Sequence, residues 1–188
     1  LAQGVYTEQE IIGGCLKGKR KFQELLYREF YSFGMSVSLR YAPSREDALE
    51  IVNDSFFKVF AKLDHYQVDR PFKTWFRRIL VNTALDYYRS NKRFRIFLDA
   101  APEEVEPGLE PVMEQALKAE EILRLFEGLP EVYRVIFNLY EVEGFNHEEI
   151  AGMLDISPGT SRSHLSRAKK MLRKLYVERI LDQRNEAV

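Results

Sequence analysis

The run HEEIAGMLDISPGTSRSHLSRAKKML, residues 147–172, reads as two helices joined by a tight corner. Asn146 precedes it as a good N-cap, and Glu149 three residues later completes a capping box. Ile150, Ala151 and Leu154 give the first helix its apolar side. A three-residue turn follows (Asp155, Ile156, Ser157), and Ser157-Pro158 caps and opens a second, longer helix. Small Ala151 lets the two helices cross closely, and Ile156 fills the corner. Leu165, Ala168, Leu172 and Leu175 face inward on the second helix, while Arg162, Ser163, Ser166, Arg167, Lys169, Lys170 and Arg173 point away. This is the layout of a helix-turn-helix, whose second helix enters the major groove. Arginine addresses guanine O6 and N7 with two hydrogen bonds, and lysine and serine hold phosphates. The bland alternative, an ordinary basic surface helix, explains the charge but not the agreement of caps, turn and acid-free face.

Upstream of this motif the pattern stays helical. Residues 131–143 form a helix through Val132, Ile136 and Leu139, closed by Gly144 and preceded by a stop at Gly128-Leu129-Pro130. Another helix runs through Val112, Ala116, Ala119, Leu123 and Phe126. Before it, Pro102, Pro107 and Pro111 fall among Glu103, Glu104, Glu106 and Glu110 with almost nothing to bury. Such a stretch does not offset its ordering entropy, so 98–111 is expected to be an acidic linker. The N-terminal part, 1–97, holds a short helix over 8–18 and three longer ones. Phe22, Leu26, Phe30, Phe33 and Val37 pattern a helix over 21–41, broken at Ala42-Pro43. Ser44 opens the next, with Ala48, Val52, Phe56, Val59 and Leu63 on one face. After a polar loop, 64–70, Pro71 starts a helix carrying Phe72, Trp75, Ile79, Ala84 and Tyr87. The expected fold is all-α: two small helical domains, 1–97 and 112–188, joined by the linker.

Charge narrows the function. The chain of 188 residues has a formal net charge of −1, which by itself argues for no particular partner. Along the chain, however, 70–95 carries eight Lys/Arg against one acid, and 157–176 carries six against none. Only such local stripes matter to a phosphate backbone, because fields fade within a Debye length of about 10 Å. The one cysteine, Cys15, excludes an internal disulfide framework and suits a reducing cytoplasm. No long apolar run suggests membrane insertion. His65, His147 and His164 lie in separate segments without metal-ligand spacing, and no phosphate loop or nucleophile motif appears, so neither a metal, a cofactor nor an enzyme is expected.

The 147–172 run closely resembles the promoter-binding C-terminal domain of extracytoplasmic-function (ECF) sigma factors of bacterial RNA polymerase. REDALEIVNDSFFKVF (45–60) resembles that family's polymerase-binding helix, and FKTWFRRILVNTALDYYRSNKR (72–93) its −10 recognition helix. The resemblance implies roles at matching positions. Glu50, Asn53, Asp54 and Phe57 would dock on the clamp of the β′ subunit of core RNA polymerase, with the β subunit also in contact. Loop 64–70, with Tyr66 and Gln67, and Asn82 would read the −10 element as the strands part. Arg77, Arg78, Arg89, Lys92 and Arg93 would hold phosphates. Arg162, Ser163, His164, Ser166, Arg167 and Lys169 would face the −35 element of promoter DNA. An anti-sigma protein is a further partner the resemblance allows. Several positions depart from the family's habit. Glu50 and Asn53 replace a frequent Asp and Gln, Asp155 a frequent turn glycine, and Ser161 a usual valine on the apolar face. His164 and Ser166 also alter the base-reading surface. The competing reading is a stand-alone helix-turn-helix regulator that binds DNA without polymerase; a weaker one is a helical adaptor that binds protein only.

Overall fold

The computed structural model describes residues 6–67, 70–90, 125, 126 and 128–186, with side chains as far as Arg179 except that of Ser90. These residues form helices, with no strand among them. The chain divides into two compact units, Leu1–Tyr87 and Tyr88–Val188. The expected linker at 98–111, the helix expected through Val112 to Leu123, and the phosphate-holding candidates Lys92 and Arg93 lie outside the described residues.

The first unit begins with α1 (Glu8–Leu16), where Thr7 and Glu10 form a capping box, and the chain leaves it through Gly18 at φ +68°. α2 (Arg20–Ser38) packs against α1 so closely that a Cβ on Gly14 would collide with the Phe22 ring. Cys15 is buried in this contact, and the apolar surroundings push its thiol up to about 11, so it stays a protonated packing group. α3 (Arg45–Lys62) starts at Ser44, whose hydroxyl accepts from the Asp47 amide, and a 3₁₀ turn (Leu63–His65) ends it. α4 (Phe72–Ser90) follows, and its residues as far as Tyr87 complete the unit.

An aromatic cluster holds these helices together. Phe30 of α2, Phe56 of α3, and Phe72 and Phe76 of α4 pack with centroids 4.7 Å apart for Phe30–Phe72 and for Phe56–Phe76. Each such ring contributes roughly 150–250 Å² of burial. The seam of α4 differs from the expected one. Phe72, Phe76, Leu80, Ala84 and Tyr88 are buried, whereas Trp75, Ile79 and Tyr87 are only half-buried. Both rows start at Phe72, and α4 is apolar over an arc wide enough to contain either; packing against two helices selects the i, i+4 row. At the surface Lys58 and Asp86 pair at 2.9 Å, and the Tyr87 hydroxyl donates to Asp47 at 3.1 Å, tying α3 to α4.

In the second unit α5 (Glu131–Phe137) runs on into a π turn (Asn138–Val142), so the helix expected over 131–143 is continuous but wider at its end. Asn138 adjusts to this by donating its side-chain amide to the Arg134 carbonyl at 2.9 Å. Gly144 then reverses the chain at φ +79°. α6 (His147–Leu154) and α7 (Pro158–Glu186) follow. No helix among the described residues is long and apolar enough to cross a membrane.

Candidate nucleic-acid and polymerase interfaces

The corner between α6 and α7 forms as its residues dictate. Asn146 accepts from the Glu149 amide at 2.9 Å, and Glu149 reaches back to the Asn146 amide at 2.8 Å. At the other end Asp155 takes the left-handed conformation, φ 58° and ψ 50°, which aspartate tolerates better than most residues. Ser157 then caps α7, accepting from the Thr160 amide at 3.0 Å. Two satisfied helix ends and one αL residue therefore determine how the second helix leaves the first.

On α7 the buried row is Ser161, His164, Leu165 and Ala168, and the exposed row is Arg162, Ser166, Lys169 and Lys170. Ser163 and Arg167 are half-buried at its edges. His164 is not on the outward face. It is 2% exposed and its ring lies 5.6 Å from that of Tyr133, because it falls three residues after Ser161 and four before Ala168, inside the apolar stripe. Ser161 lies in the same buried row, and its hydroxyl stands 2.9 Å from His147 Nδ1. Lys169 is exposed but held, with its ammonium 2.7 Å from Glu141 of the π turn.

Along α4, Arg78, Asn82 and Arg89 are exposed at spacings of four and seven, with Arg77 half-buried beside Arg78. Gln67 is exposed, and its carbonyl accepts from the Arg70 amide at 3.0 Å. Tyr66 is placed differently from its expected role. It is 8% exposed, packs 5.2 Å from Trp75 and 5.7 Å from Phe72, and donates its hydroxyl to the Arg70 carbonyl. An apolar shelf is available to it on α4, so the ring covers the helix and closes the loop rather than facing outward.

The outward face of α3 is a second surface of different chemistry. Leu49, Glu50, Asn53, Asp54 and Phe57 share it by helical spacing. Phe57 is 74% exposed and Leu49 38%; Glu50 and Asp54 are exposed. Asn53 is half-buried, with its carbonyl accepting from the Tyr27 hydroxyl at 3.0 Å, which fixes the amide on this face. Leu49 escaped the sequence reading, although the inward row Ala48, Val52, Phe56 already implies that its neighbour turns out. Among the described residues no group of three His, Cys, Asp or Glu is placed to hold a metal.

One unit with an acidic, partly apolar helix face and a basic stripe, and another built on a helix-turn-helix, describe a protein that meets both a protein partner and DNA. Comparison with known proteins is consistent with this and specific. Residues 26–94 match the pattern "Sigma-70 region 2", and residues 119–172 match "Sigma-70, region 4". The ECF RNA polymerase sigma-E factor of Salmonella typhimurium is 33% identical over 177 residues, covering 88% of this chain and 92% of the relative. That of Haemophilus influenzae is 29% identical over 177 residues, covering 88% and 93%. Among solved structures, the sigma factor RpoE in complex with the anti-sigma factor NepR from Bartonella quintana aligns with a TM-score of 0.49 at 23% identity, over 81% of this chain and 95% of that one. The chain belongs to the ECF family of RNA polymerase sigma factors.

Proposed function

We propose that this chain is a sigma factor that docks on core RNA polymerase through the outward face of α3, with Glu50, Asn53, Asp54 and Phe57 against the β′ clamp. It directs the enzyme to specific promoters. The observation that carries this is the exposure of Phe57: a large ring left in water on a helix whose other aromatics are all at least half-covered has a use for that position. Acidic Glu50 and Asp54 beside it set the orientation and suit a basic partner surface.

The exposed row of α7 reads duplex at the −35 element, with Arg162 and Arg167 on base edges and Ser163, Ser166 and Lys169 on or near the backbone. Arg78, Asn82 and Arg89, with Gln67, engage the −10 element as it opens, Asn82 and Gln67 offering amide edges and the arginines holding the strand. Tyr66 serves this surface from beneath, by fixing the loop. A linker over 98–111 joins the two domains in sequence, and the protein works in the cytoplasm, where an anti-sigma protein is a natural competitor for the α3 face. The test is to mix the purified chain with core polymerase and map transcripts: a specific promoter start that needs both components supports the reading. Specific binding of the chain alone to a palindromic site, with no effect on polymerase, would instead support the stand-alone regulator.

A further inference from the structure

His147 and Ser161 join the two ends of the helix-turn-helix that the turn does not. The turn at Asp155 fastens the C-terminal end of α6 to the head of α7. The His147 Nδ1–Ser161 Oγ contact, 2.9 Å, fastens the opposite end of α6 to the first turns of α7. Two fixed points define a crossing angle where one leaves a hinge. The imidazole is itself clamped, stacked on Tyr140 of the π turn at 4.5 Å and 25°, while Ser161 is fully buried.

We propose that His147 is a positioning residue that braces the recognition helix through Ser161, and that it takes up a proton when the helix docks on DNA. The second half rests on the −35 reading above. Facing the ring are Tyr140 from the π turn, Glu148 from its own helix, and Arg162 and Lys169 from α7, Lys169 being paired with Glu141 of the π turn. In the free protein burial first, then Arg162, hold the imidazole below its ordinary range; Glu148 opposes them, and Lys169 adds the smallest downward push. The ring is then neutral: with the proton on Nε2, Nδ1 accepts from the Ser161 hydroxyl. Docking brings the polyanionic duplex up to Arg162 and Lys169, and its negative field offsets the positive one that opposed protonation. The protonated ring keeps the brace by donating Nδ1–H to Ser161 Oγ.

The sign follows from linkage. Binding that raises the pKa of His147 takes up a proton, so affinity is greatest at low pH and falls as pH rises through the value in the complex. One proton limits the slope to about tenfold per pH unit.

The brace is tested on the free full chain. The His147 ring is titrated by NMR, and amide exchange is followed in the first two turns of α7. Ser161→Ala is expected to move the titration midpoint and, with His147→Ala, to speed exchange at 161–164. His147→Asn, whose amide reaches the position of Nδ1, is expected to restore protection. Unchanged titration and exchange in Ser161→Ala overturn the brace.

The linkage is tested on holoenzyme and promoter DNA between pH 5.5 and 8. The parent is expected to lose affinity with rising pH, and His147→Asn to lose that slope while keeping alkaline affinity within about threefold. An equal slope in both overturns the linkage. No promoter binding at any pH refutes the promoter reading and the linkage together, while the brace still stands or falls on the free chain.

Discussion

Replacing Phe57 by alanine separates docking from folding more cleanly than any other change in this chain. The ring is 74% exposed, so its removal takes almost nothing from the core, and the free protein should unfold within about 0.5 kcal/mol of the parent. Binding is another matter. A fully covered aromatic side chain removes on the order of 150–250 Å² from water, most of which is still available here. At roughly 25 cal/mol per Å², and allowing for the methyl that alanine retains, the lost burial is about 2–3 kcal/mol. That corresponds to about 30- to 150-fold in dissociation constant. The assay is titration of labelled protein with core polymerase, alongside thermal unfolding by circular dichroism. Phe57→Glu should be worse than Phe57→Ala, since it adds a charge where a ring was to be buried. An alanine variant that binds core enzyme within twofold of the parent refutes the assignment of this face. One that binds poorly but also melts early shows the ring to be structural.

Five further outcomes are expected, one for each substitution. Arg162→Ala should cost about 1–3 kcal/mol of promoter binding and relax base preference at one position, whereas Glu141→Gln should release Lys169, tighten binding to all sequences alike and steepen the salt dependence; filter binding of holoenzyme over a salt series reads both. Asn146→Ala removes the cap of α6 and should destabilise the second unit by about 1 kcal/mol, visible as earlier amide exchange across α6. Tyr66→Ala should destabilise the first unit by about 3–5 kcal/mol through the cavity it leaves against Phe72 and Trp75, so its failure to open a promoter tells little; Gln67→Ala, at an exposed position, should weaken binding to single-stranded −10 DNA without moving the melting temperature.

Helix existence was legible in the sequence because caps and periodicity are local: Ser44, Asn146 and Ser157 each announce a start that the hydrogen bonds then supply. Helix phase was less legible where the apolar arc is wide. In α4 two rows share Phe72, and only the partners Phe30 and Phe56 choose between them. A polar residue inside an apolar stripe caused the difference at His164. His164 and Ser161 sit three residues apart, in phase with Leu165 and Ala168, so the period alone places both inside; chemical habit and family likeness pointed His164 outward. What no single position could reveal is that Ser161 has a partner fourteen residues upstream. Pairing across a helix corner is a property of the fold, so the hydroxyl looks like a packing fault until His147 is brought against it.

On the docking proposed above, the formal net charge of −1 combines surfaces for different partners. The acids Glu50 and Asp54 stand on α3, and the basic stripe Arg78 and Arg89 on α4, with the aromatic cluster filling the space between the two helices. Charged groups further apart than a Debye length, about 8 Å at physiological salt, act separately in water. Each partner therefore feels its own patch and not the total. The two surfaces should also differ in how salt affects them. Contacts to phosphates release counterions and weaken steeply as salt rises. Docking by Phe57 and Leu49 gains from burial, with Glu50 and Asp54 contributing mainly to encounter rate, so raising salt should slow association with polymerase while leaving its dissociation rate nearly unchanged. A dissociation rate that climbs with salt as fast as promoter release would mean that α3 docks by charge, and that the exposed ring is not what holds the complex together.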